Sequence, residues 1–208
     1  MPSTLVHMAI GALIAAALLE RVFGPRSLGI VLVAVAVPDL DTFVGIVFPG
    51  THRAALHTLV VPVLAGGAIA YDLRREGSWL RSRGAGAVRI AWVAVFAYVA
   101  AGIAPDLFFN GVNVFYPVHD QFYTVNGEVL LSDQRGFVQT LWEAEESTGG
   151  TTENTHYYTG VDTTRGADPE NVERVFPIAS SGLQVLLLCA GATVTGTRLW
   201  LDRRRATP

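Results

Sequence analysis

The chain has 208 residues, half of them apolar and only 16% charged, against about 25% charged in an ordinary soluble domain. All 15 basic residues are Arg, the net charge is −3, and Cys189 is the one cysteine. These values rule out a disulfide framework and any Cys-based metal site, and they argue against a nucleic-acid partner. A mean hydropathy of +0.37 leaves either a large soluble core or a membrane protein.

The apolar runs decide for the membrane. Residues 4–19, 27–38, 54–71, 90–105 and 179–197 form five such runs; the second continues through Pro38-Asp39-Leu40-Asp41 into residues 42–48. A bilayer core of about 30 Å needs roughly 17–25 helical residues, and each run approaches that length with its flanks. Five helices apolar all round are too many for a soluble domain of this size. The expected fold is therefore all-α and integral to the membrane, a bundle of five transmembrane helices. Spans one to four fall within 1–108, an extracytoplasmic loop segment covers 109–178, span five covers 179–201, and 202–208 is a cytoplasmic tail. Residues 4–19 read as a span rather than a signal peptide, because no positive region precedes them.

Arg placement sets the orientation. Arg21 and Arg26 flank the first connection, Arg74, Arg75, Arg81, Arg83 and Arg89 fill the third, and Arg203, Arg204 and Arg205 close the chain. With alternating spans these share one side, which the positive-inside rule makes cytoplasmic. The N-terminus is then outside and the C-terminus inside a cell membrane. The long connection carries 11 acidic residues and 3 Arg between 109 and 180. Within it, 121–132 reads as a hairpin turning at Asn126-Gly127, 136–142 as a short surface helix, and 145–171 as a mobile polar stretch in which His156 is solvated.

Ionisable residues inside the spans carry the functional signal, since a charge at mid-membrane costs roughly 2.5–3.5 kcal/mol on insertion scales. His7 opens span one, Asp39 and Asp41 lie in span two, His52, Arg53 and His57 open span three, and Asp106 ends span four. The topology brings them to one depth, near the outer leaflet, with His119 following in the loop. Imidazole and carboxylate together suit Zn²⁺, Mn²⁺ or Fe²⁺. Asp39 and Asp41 are about 200° apart on a regular helix, so an unwound turn is expected at 38–42 beside Pro38. Arg53 and His57, four apart, would share a helix face.

The run His7-x-x-x-Gly11, then Pro38-Asp39-Leu40-Asp41, then His52-Arg53-x-x-x-His57 resembles the predicted membrane-bound metal-dependent hydrolases of the DUF457, or YdjM-like, family. Asp106 with Gly111 and Tyr116-Pro117 resembles that family's late segment. The resemblance implies a multi-pass protein with a metal site and a hydrolase activity. Many members have a His four residues before the late Asp; here that position is Gly102, and His119 would fill the gap. The resulting expectation has His7, Asp39, His57, Asp106 and His119 as metal ligands. Asp41, His52 and Arg53 would be catalytic, orienting ligands, moving protons and stabilising anionic charge. The substrate would be a phosphoester, a lipid headgroup or another small anion. The alternative is a non-enzymatic metal- or ion-binding protein or a transporter, against which stands the absence of a matching polar set in the inner half.

Overall fold

The computed structural model describes residues 2–109, 111–140, 150–166 and 169–206. Helix α1 (Thr4–Leu18) starts where the Ser3 hydroxyl accepts from the Val6 N–H, satisfying one of the free donors of a first turn. Helix α2 (Pro25–Ala36) begins with Pro25 at its first position, where the missing N–H is harmless. Pro38 ends its regular backbone. Residues Pro38–Leu40 tighten into a 3₁₀ turn and α3 (Asp41–Val47) leaves at a 45° bend. The expected unwound turn is thus an overwound one: Pro38 removes a donor and the chain answers with shorter-range bonds.

Residues 51–59 are not helical, and α4 (Val60–Arg74) starts only after them. Arg53 takes a left-handed φ of +63°, so Arg53 and His57 do not share a helix face as expected. A short α5 (Trp79–Ser82) leads to α6 (Ala85–Ala97), which widens into a π segment over Tyr98–Ile103 and ends in α7 (Ala104–Leu107). The last helix is α8 (Gly182–Ala206).

Helix lengths among the described residues support two or three spans and leave the count of five unconfirmed. Gly86–Leu107 and Gly182–Arg204 are long and apolar enough to cross a membrane, and α2 with Pro38–Val47 makes a third if the bent pair is one span. α1 and α4 have 15 residues each, short of the roughly 17–25 needed. In α4 the shortfall has a visible cause: the turns of 51–59 take up residues that hydropathy assigns to a span.

α1 is the hub, packed against α2, α6, α8 and the π segment. Ala15, Ala16 and Leu19 meet Val31, Val35, Val93 and Ala97 in its main apolar cluster. Two glycines permit the close approach: a Cβ on Gly11 would lie 2.7 Å from Val35 Cγ2, and one on Gly191 would lie 2.9 Å from the Ala9 carbonyl oxygen. Such small-residue seams serve where lipid gives no hydrophobic drive between helices. At the end of the bundle away from α1's first turn, Arg89 pairs with Glu20 at 2.5 Å and Arg198 donates to the Glu20 carbonyl at 2.6 Å.

The hairpin lies further along than expected. Strands β1 (Val129–Ser132) and β2 (Gly136–Gln139) pair antiparallel with Ser132 opposite Gly136. The turn is the three-residue loop 133–135, closed by Gly136 at φ +68°, a glycine-bulge geometry that Asn126-Gly127 does not supply. Residues 136–139 are therefore strand rather than surface helix, and 141–142 lie outside the described residues. The stretch 145–171, expected to be mobile, is described over 150–166 and 169–171, and it packs on the rest of the chain. Asp120 accepts from Asn113 Nδ2 at 2.6 Å and from the Thr152 hydroxyl at 2.7 Å.

Gly191→Ala is expected to lower the melting temperature in detergent, by the overpacking cost of about 1–3 kcal/mol. Gly67→Ala is the control: it sits in α4 with open space around it, and its melting should be unchanged or slightly higher.

Candidate metal centre

Four segments meet at one end of the bundle, and each delivers ionisable side chains. His7 comes from the second turn of α1, Asp39 and Asp41 from the α2–α3 bend, His52, Arg53 and His57 from the 51–59 turns, and Asp106 from α7. All have almost no exposure except Asp39, whose side chain is 20% exposed. The expected convergence is thus seen for seven of the eight candidates. His119 is not brought in: it is exposed, its Nε2 lies 3.1 Å from Gln121 Oε1, and its ring rests near Tyr123.

Local backbone explains how each side chain is aimed. His7 Nδ1 is 2.5 Å from the Ala101 carbonyl, so Nδ1 carries the proton and Nε2 the lone pair. That carbonyl sits four residues before Pro105, which has no N–H to offer it, inside the π segment. The π segment thus presents the carbonyl that fixes His7. Gly102 explains the absent family histidine in steric terms: a Cβ there would already lie 3.0 Å from Pro38 Cγ and from the Val35 carbonyl oxygen. The position is used for close packing of the π segment on the α2–α3 bend.

His57 is fixed by a carboxylate. Its Nδ1 lies 2.9 Å from Asp41 Oδ2, leaving Nε2 facing Asp106 Oδ2 at 3.2 Å and Asp39 Oδ1 at 3.6 Å. Asp41 also receives the Leu56 N–H at 3.3 Å, and its other oxygen stands 3.4 Å from His52 Nδ1. Leu56 is in turn held by the Tyr98 hydroxyl, which donates to its carbonyl. Asp106 is clamped from the opposite side by Arg53, whose Nη2 is 2.6 Å from Oδ1. The Arg53 carbonyl receives the Asn113 N–H at 2.9 Å and so keeps the left-handed turn in place.

His7, Asp39 and Asp106 each offer a ligand atom within 4.8 Å of the others, which is the spacing of a metal-binding group. His57 Nε2 reaches the same two carboxylates. The donor set fits a divalent cation on a direct observation: His7 Nε2, His57 Nε2 and Asp39 Oδ2 are buried and lack a hydrogen-bond partner. Buried polar atoms are ordinarily satisfied, and imidazoles whose Nδ1 is engaged by a carbonyl or carboxylate are the form that ligates metals through Nε2.

Sequence reasoning did not find the cover over this site. Tyr157 stacks on the Arg53 guanidinium at 4.9 Å and lies 6.5 Å from the His52 ring. Burial holds its phenol above the ordinary tyrosine range, so it remains protonated. Thr159 meets Thr42 at 2.8 Å, and His156 and Asp162 are buried together with His156 Nε2 3.7 Å from Asp162 Oδ1. His156 is therefore not solvated as expected. The available signal was local: His156-Tyr157-Tyr158 is an aromatic run in a stretch otherwise rich in Thr, Gly and Glu.

Arg53→Met is expected to destabilise the protein by about 3–5 kcal/mol, because it removes the guanidinium partner of the buried Asp106 carboxylate. Adding Asp106→Asn should recover part of that loss in a double-mutant cycle read by denaturation in detergent.

Residues 1–163 match the family model described as YdjM inner membrane protein, whereas no curated protein and no solved structure matches the chain. With all four site segments inside the matched region, the chain belongs to the YdjM inner membrane protein family.

Proposed function

We propose that the protein is a membrane-embedded, metal-dependent hydrolase that uses a divalent cation held by His7, Asp39, His57 and Asp106. The observation that carries this reading is the pair of imidazoles with engaged Nδ1 atoms and unpartnered Nε2 atoms, converging on two carboxylates. A cation of the Zn²⁺, Mn²⁺ or Fe²⁺ class would supply a bound water acidic enough to ionise near neutral pH.

The chain's own residues then have separable tasks. Asp41 orients His57 through Oδ2 and stands beside His52 through Oδ1. His52 keeps an unpartnered Nε2 that can accept a proton from the reacting water. Arg53 acts as a positioning residue, because its guanidinium is committed to Asp106 and covered by Tyr157. This differs from direct stabilisation of an anionic substrate, and it moves substrate contact toward Asp39, where the cluster is open. His119 has no part in the ligand set. The site lies at the end opposite the Glu20–Arg89 pair, so the positive-inside rule assigns it to the exported face.

Purified protein is expected to carry one equivalent of a divalent metal per site, and chelation should lower its melting temperature. Asp39→Ala or His57→Ala should remove most of that chelator response. Asp41→Asn should weaken metal binding by about 10–100-fold through lost orientation of His57. Metal affinity should fall as pH falls, since protons compete for imidazole and carboxylate ligands. Protein without stoichiometric metal, with melting indifferent to chelator and to added Zn²⁺ or Mn²⁺, would sink the reading. Metal binding without hydrolysis of any ester would make this an ion site instead of an enzyme.

A further inference from the structure

We infer that the site is entered sideways from the bilayer, between the first turn of α1 and the α2–α3 bend, and that its substrate is a membrane-resident amphiphile. The polar headgroup would reach Asp39 while its chains stay in lipid. The substrate class rests on the hydrolase reading above; the route to the site does not.

Side-chain exposure is 0–3% for His7, Asp41, His52, Arg53, His57 and Asp106, and 20% for Asp39. From the end of the bundle the cluster is covered. Tyr157 lies over Arg53, Asn113 is fully buried against the 51–59 turns, and a Cβ on Gly50 would collide with the Thr152 carbonyl. The 150–162 stretch therefore closes the approach along the bundle axis.

What flanks Asp39 is apolar. Leu40 is 49% and Phe43 54% exposed, and Ile46, Val47 and Phe48 continue that surface along α3. On the other side is the first turn of α1, where Leu5 is exposed. An aqueous entrance would be lined by polar side chains. A partly exposed aspartate framed by exposed Leu and Phe, in a bent helix pair long and apolar enough to be one span, would face lipid.

Depth agrees. A helix of 15 residues such as α1 is about 22 Å long, and its far end is marked by the Glu20–Arg89 pair. In a hydrocarbon layer of about 30 Å, its first turn then stands some 8 Å beneath the opposite boundary. Phe48, Phe108 and Phe109 are exposed near that end, as expected of residues at an interface. The opening at Asp39 thus sits among the acyl chains, roughly 8 Å below the headgroup boundary.

The test uses the full chain in lipid nanodiscs. Metal-stripped protein is treated with dicyclohexylcarbodiimide or with a water-soluble quaternary-ammonium carbodiimide, and modified carboxyls are located by mass spectrometry. Asp39 should react at least about ten-fold faster with the apolar reagent, because placing a charge in hydrocarbon costs a few kcal/mol. Bound metal should protect it, and Glu153, which is exposed, should show the opposite preference. Equal or faster reaction of Asp39 with the charged reagent, or no reaction with either, overturns the lateral route. The second arm offers metal-loaded protein a set of diacyl phospholipids in the nanodisc and their water-soluble glycerophosphoryl headgroups. Cleavage of the lipids alone is expected. Equal cleavage of the soluble compounds, or cleavage of no lipid, overturns the substrate class. Absence of metal from the purified protein is the separate result that defeats the hydrolase reading, and the carbodiimide rates still decide the route in that case.

Discussion

Charge compensation in a dry volume is the constraint on which this structure depends. Asp39, Asp41 and Asp106 are gathered beside one permanent cation, Arg53. An isolated buried carboxylate is far too costly to persist unless it is paired or coordinated. Arg53 answers Asp106, and Asp41 is answered by two imidazoles and the Leu56 N–H. Asp39 and the two free Nε2 atoms are left facing one another. With neutral imidazoles the three carboxylates and Arg53 leave two negative charges, which is the deficit one divalent cation removes. Without a cation, protonation of His57 at Nε2, which faces Asp106 and Asp39, would remove part of the same deficit.

Meeting that constraint distorts the backbone in several places at once. The 3₁₀ turn at Pro38, the π segment at Tyr98–Ile103, Pro105 and the left-handed Arg53 all lie within the segments that supply the site. Irregular backbone at membrane depth is tolerated only where protein or a polar cavity satisfies it, and strained residues persist where their surroundings over-determine them. Both conditions hold here. The Ala101 carbonyl takes the His7 imidazole, and the Arg53 carbonyl takes the Asn113 amide. Shortened α1 and α4 follow from the same bargain between regular helices and a built site.

How much of this the sequence discloses depends on the range of the interaction concerned. Apolar runs and misplaced charges are local signals, so the membrane class and the grouping of His7, Asp39, Asp41, His52, Arg53, His57 and Asp106 are legible. The delayed start of α4 is not, because residues 51–59 are apolar enough to read as helix, and it is tertiary bonds from Asn113, Val114 and Tyr98 that fold them otherwise. Asn126-Gly127 is a strong hairpin signal, yet the strands form beyond it, where Leu131 pairs with Phe137. His119 is exposed beside Gln121 and Tyr123, because proximity in sequence to Asp106 says nothing of where the loop carries it. Tyr157 is invisible to hydropathy, since a polar stretch can pack as a lid only through contacts distant in the chain.

Because the candidate ligands come from α1, the α2–α3 bend, the 51–59 turns and α7, their geometry is a property of the tertiary fold and of no single helix. α1 ties the set together. His7 faces the cluster, while Gly11 meets Val35 and Ala9 meets Gly191 on its other sides. A shift of α1 that opened the Gly191 seam would carry His7 away from Asp106, and a cation joining them would oppose that shift. The neighbouring α4 contributes no ligand of its own, yet its start is fixed by the bond from the Leu59 N–H to the Val114 carbonyl at 2.8 Å, so it too is registered to the site. The cluster end is thereby held by side-chain chemistry where short helices alone would leave it loose. The opposite end, closed by Glu20 with Arg89 and Arg198, depends on one exposed ion pair, of a kind that contributes little, and a hydrogen bond to the Glu20 carbonyl. The bundle is consequently organised from the buried polar site outward, with its apolar seams adapted to the position that site imposes on α1.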